Sequence, residues 1–212
     1  MTFNRFAAFA ALAAGLCGFG YSISFTLYLH NPSRSTAYSN SLLLIAGGLV
    51  ATAAFTGVYE RLRATDPGLA LWGYVLALIG GFGAAIHGAY DLANLAKPPA
   101  SLPSDIPSSV DPRGLATFGL TGLGLAVVAV LILKGGALPR GLAYLGLLAA
   151  ALLVFVYIGR LVILNPKSPG LRAAAVASGF VVNPFWFTWL ALSLRRGEAA
   201  EPRLVGVTAS GP

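Results

Sequence analysis

Gly68 to Leu95 read GLALWGYVLALIGGFGAAIHGAYDLANL. The run stays apolar past the roughly 20 residues that a helix needs to cross about 30 Å of hydrocarbon. It lacks the period-two alternation of a strand in a closed barrel. It therefore predicts a membrane-spanning helix. Near its end stands an acid, Asp91, one helical turn after His87. A carboxylate costs about 2.5–3.5 kcal/mol near the centre of such a helix, and less toward an interface. Something in the fold has to compensate it.

Five further runs of the same kind flank this one, at Phe6–Leu29, Ser39–Tyr59, Gly114–Leu133, Gly141–Leu164 and Leu171–Leu194. Breakers mark the joins: Asn31-Pro32, Asp66-Pro67-Gly68, Lys97-Pro98-Pro99, Gly135-Gly136 and Asn165-Pro166. The fold class predicted is all-α, a polytopic membrane protein built as a bundle of six transmembrane helices. With 57% apolar and 10% charged residues and a mean hydropathy of +0.77, lipid is the expected solvent for most of the surface. Residues 1–196 are read as one transmembrane domain and 197–212 as a disordered cytoplasmic tail. The first run is too long for the apolar part of a secretory signal, so it is expected to be a retained helix.

The chain carries 14 Lys and Arg against 7 Asp and Glu, a net charge of +7. In a soluble protein that excess would suggest nucleic acid; between apolar spans it fits membrane topology and anionic headgroups, so no nucleic-acid partner is expected. With the N-terminus inside, the inner side holds Arg5, Arg61, Arg63, Lys134, Arg140, Arg195, Arg196 and Arg203. The outer side holds Arg34, Lys97, Arg113, Lys167 and Arg172, with Arg160 inside a span. The bias predicts both termini in the cytoplasm and the loop from Ala96 to Arg113 outside, with the cell inner (plasma) membrane as the expected location. Trp72, Trp186 and Trp189 then share the inner half, where they could form an interfacial belt. The lone cysteine, Cys17, rules out an intramolecular disulfide.

Small residues recur at Gly80, Ala84 and Gly88, at Gly15, Gly18 and Gly20, and at Gly119, Gly122 and Gly124. They predict faces where helices approach closely. His87 and Asp91, four apart, share a helix face with Ala84 and Gly88. Asp91 and Arg160 each lie four residues before the end of a span running in the same direction, so an ion pair between the third and fifth helices is geometrically possible. Tyr90 and Asn94 accompany this cluster, and Asn183, followed by Pro184, is a second, deeper polar feature where a kink is expected. The candidate polar or ligand site is thus His87, Tyr90, Asp91, Asn94, Arg160 and Asn183. Two histidines and one cysteine under-supply a metal or haem site, and no cofactor is expected. The zinc-helix, serine-elbow and phosphate-loop motifs are absent from the sequence, and intramembrane aspartyl proteolysis would need a second membrane aspartate. No enzyme activity is expected.

The turn Tyr59-Glu60-Arg61-Leu62-Arg63, leading to Leu69-Ala70-Leu71-Trp72-Gly73-Tyr74, resembles the second-to-third helix junction in a family of uncharacterised six-helix bacterial membrane proteins, defined only as a domain of unknown function. That resemblance implies six helices and brings no activity with it. Two functions remain open. One is a small-solute, lipid or proton pathway or sensor using the cluster as its outer mouth. The other is a non-catalytic structural or regulatory membrane subunit packed through glycine-rich helix faces. The bilayer is the expected partner of either, with a membrane-protein partner or a second copy beside it.

Overall fold

The computed structural model describes residues 2–97, 113–162 and 168–199, with the side chains of 160–162 and 197–199 outside that description. Six spans are long and apolar enough to cross a membrane. They are α1 (Phe3–His30), α2 (Arg34–Leu62), α3 (Pro67–Ala96), a fourth formed by a π-wound stretch Leu115–Leu120 and α4 (Thr121–Gly135), α5 (Arg140–Val162), and a sixth of three parts. Those parts are α6 (Pro169–Val176), a π-wound stretch Ala177–Val182 and α7 (Asn183–Ala199). No strand occurs among the described residues. The long loop after α3 and the tail beyond Ala199 lie outside the described residues.

Local sequence sets the helix ends. Ser33 accepts from the backbone N–H of Thr36, while the Thr36 hydroxyl accepts from the N–H of Ser33, a reciprocal box that starts α2. Asp66 accepts from the N–H of Leu69 at 3.0 Å, and Pro67 follows at the first helical position, where its missing N–H costs nothing. Gly136 ends α4 at φ 66°, a left-handed conformation that a side chain would strain.

The spans form a ring in chain order, each packed on the next, and the sixth closes it by packing on both α5 and α1. The ring is held together by backbones that nearly touch. A Cβ on Gly88 would stand 2.5 Å from the Ser41 carbonyl oxygen of α2, and one on Gly48 would collide with the Gly81 carbonyl oxygen of α3. On the other flank of α3, a Cβ on Gly73 would meet Val127 at 2.7 Å, and Gly80 and Gly83 admit Thr121 and Ala116. The small residues of α3 thus divide between two neighbours: Ala84 and Gly88 face α2, while Gly80 faces the fourth span. A four-residue spacing drifts about 40° per step on a 3.6-residue helix, which is why Gly80 and Gly88 separate.

The half of the bundle holding the α2–α3 turn, here the Trp72 end, has a core of large apolar side chains such as Phe55, Leu62, Ile132 and Leu194. Trp186 belongs to this core and to no interfacial belt. It is 1% exposed, its ring 5.9 Å from Phe55 and 5.0 Å from Phe187. Only Trp72 and Trp189 are exposed among the tryptophans. The reason is phase: Val182, Trp186, Leu190 and Leu194 share the buried face, whereas Trp189 is turned off it. Gly146 of α5 makes room for the indole, since a Cβ there would lie 3.0 Å from Trp186 Nε1.

Pro184 cannot donate a backbone hydrogen bond, and the helix answers it with π-winding just before it: the Asn183 N–H reaches back five residues to the Ser178 carbonyl. That stretch sits on α1, where Gly179 faces Ser22 and Phe180 meets Phe19 edge-on at 5.9 Å.

The close contacts make a graded prediction. Gly48→Ala and Gly88→Ala should each destabilise the protein by about 1–3 kcal/mol through overpacking, whereas Gly18→Ala, with nothing within 4 Å of its Cβ, should be close to neutral. Melting temperatures in detergent check this, and equal behaviour of the three variants would contradict the packing described.

Candidate functional site

The polar cluster lies where α3 ends and the fourth span begins. The structure brings His87, Tyr90 and Asp91 of α3 together, and adds a residue outside the sequence-derived set, Arg113. Arg113 Nη1 donates to Asp91 Oδ1 at 3.3 Å and lies 3.5 Å from the His87 carbonyl oxygen. Its guanidinium carbon stands 4.0 Å from the centre of the Tyr90 ring. His87 Nε2 is 3.7 Å from Asp91 Oδ2, near enough for charge attraction but beyond a hydrogen bond.

Antiparallel neighbours explain the pairing. Helices joined by a loop begin and end at the same level, so Arg113, just before Leu115–Leu120, stands level with the last turns of α3. Thr117, buried, anchors this entrance by donating to the Arg113 carbonyl at 3.0 Å. The side chains of His87, Arg113 and Asp91 are 15%, 23% and 45% exposed. The cluster is therefore closed on the protein side and open at the carboxylate.

The remaining expected residues lie apart. Asn94 is half-buried on the next turn of α3 and makes no hydrogen bond to the cluster among the described residues. Asn183 donates to Ser178 Oγ at 3.2 Å within the sixth span, so it serves the π-wound turn. The Arg160 side chain, and with it the expected pair with Asp91, lies outside the described residues. Among the described residues no three His, Cys, Asp or Glu side chains come together.

Chemically, the described residues of the cluster set a carboxylate against a guanidinium, with imidazole and phenol beside them. Away from the cluster, a void bordered by Phe55, Tyr59, Tyr74 and Val128 amounts to about 10 Å³, about one water molecule. Comparison of the chain with protein-family models, with curated proteins and with solved structures finds no match.

The Asp91–Arg113 bond can be tested by a double-mutant cycle. Asp91→Asn and Arg113→Gln should each lower stability, with a coupling of about 1 kcal/mol, between the values usual for exposed and for buried pairs. Denaturation of the four proteins in detergent measures it; strictly additive losses would dismiss the pair.

Proposed function

We propose that the protein is a non-catalytic structural or regulatory subunit of the bacterial inner (plasma) membrane, with both termini in the cytoplasm. The observation that carries this reading is that the Asp91 charge meets Arg113 across a helix interface, so the cluster fastens α3 to the fourth span. The tight glycine contacts along the same interface support it. The glycine faces of α3 are occupied within the chain, which leaves a membrane partner or a second copy the outward face of α1, where Leu12, Leu16, Phe19 and Ile23 are exposed around Gly18. The resemblance of the α2–α3 turn to six-helix proteins of unknown function agrees with this and adds no chemistry.

A second reading, a small-solute, lipid or proton pathway or sensor, is favoured by two observations. Asp91 is half-exposed, and Asn40 Oδ1 is buried without a hydrogen-bond partner in the same half of the bundle. A water-filled path continuing from the cluster toward Asn183 would be its requirement.

One labelling experiment separates the two and reads the orientation. In a Cys17→Ala background, single cysteines replace Lys97, Lys134 and Asn183. An impermeant thiol reagent should label position 97 in intact cells, position 134 only after the membrane is opened, and position 183 in neither. Labelling of 134 but not 97 in intact cells would reverse the orientation. Labelling of 183 in a folded protein would move the support to the pathway.

A further inference from the structure

The open edge of the cluster meets lipid in a particular way. On α3, Val75, Ile79, Phe82, Ile86 and Tyr90 follow one another at three- or four-residue spacing, and all are exposed. They form a single outward stripe that runs along the helix from its Trp72 half up to Tyr90. Beside its top lie the half-exposed Asp91 and the partly exposed Arg113, with the guanidinium on the Tyr90 ring. Tyr90 itself is 45% exposed.

We infer that this edge is a binding site for a zwitterionic phospholipid of the leaflet at the Asp91 end, its ammonium on Asp91 and Tyr90, its phosphate on Arg113, and an acyl chain along the stripe. Carboxylate and aromatic face attract an ammonium group, and guanidinium matches phosphate geometry. An ion pair seen from its side presents both charges at once. A headgroup carrying both signs can oppose them, whereas a purely anionic headgroup meets Asp91 as a repulsive neighbour. The acyl stripe distinguishes a whole lipid from a soluble headgroup of the same chemistry. The site goes beyond the scaffold reading and does not depend on it, since a clasp between helices and a lipid on its outer edge use different sides of the same residues.

The experiment is native mass spectrometry of the full chain, delipidated in detergent and titrated with phosphatidylethanolamine, phosphatidylglycerol or diacylglycerol of matched acyl chains. Wild type should retain phosphatidylethanolamine about fivefold better than either other lipid, and Tyr90→Leu, in a protein that still folds, should remove about that much of the preference. Soluble glycerophosphoethanolamine, which lacks the chains, should not compete at equal concentration. Equal retention of the three lipids by wild type would overturn the site without recourse to any variant. Preference undiminished in a folded Tyr90→Leu protein would overturn it as well, and competition by glycerophosphoethanolamine would reassign the chemistry to a soluble ligand and refute a lipid site.

Discussion

Helices in hydrocarbon gain little from hiding apolar surface from one another, because lipid tails are as apolar as leucine; what draws them together is close contact between backbones. In this bundle that constraint falls hardest on α3. Its glycines let α2 approach on one side and the fourth span on the other, and its depth and rotation follow from those two contacts. The position of Asp91 is then no longer adjustable. The entrance to the fourth span, tied by Thr117 to the Arg113 carbonyl, brings the compensating charge to it. The ion pair is thus a consequence of packing lower down the same interface.

The six spans were legible because each rests on a single property, an apolar run long enough for the bilayer. The shared face of His87 and Asp91 was legible for a similar reason, since it needs only helical periodicity. Arg113 as a partner of Asp91 was not, although its signal was present. Arg113 immediately precedes Gly114, where the fourth apolar run begins, and an antiparallel neighbour starts at the depth where its predecessor ends. Lying outside the apolar run, Arg113 reads in the sequence as a loop charge. Trp186 was misplaced because the sixth run is apolar all round, so its composition does not say which face turns inward. The π-wound stretch Leu115–Leu120 has no proline to announce it.

Polarity is unevenly distributed along the bundle axis. The buried polar side chains among the described residues, Ser24, Ser41, Thr117 and Ser178, all lie in the half that contains Asp91. Each is bonded: Ser24 to the Thr36 carbonyl, Ser41 to that of Ala37, Thr117 to that of Arg113, and Ser178 to Asn183. The opposite half is filled by Phe55, Trp186 and aliphatic side chains. Directed bonds nevertheless join helices in both halves: Ser24 reaches the Thr36 carbonyl across α1 and α2 in one, and the hydroxyls of Thr56 and Tyr74 meet at 3.0 Å across α2 and α3 in the other. Unpaired groups are costly in such an interior; among the described residues Asn40 Oδ1, Arg61 Nη2 and Trp186 Nε1 are buried without a hydrogen-bond partner.

The closing of the ring on α1 has a bearing on how the protein is made. The inner face of α1, built from Ala7, Ala11, Ala14 and Gly15, packs on α7, and Gly15 receives Phe187 and Pro184. Ribosomal synthesis delivers α1 first and α7 last. Throughout elongation the seam that completes the bundle stands open, its alanine and glycine surface bathed in lipid or held by the insertion machinery. Completion of the fold therefore waits for the sixth span, and a nascent chain halted after α5 would display that seam to whatever neighbour reached it first.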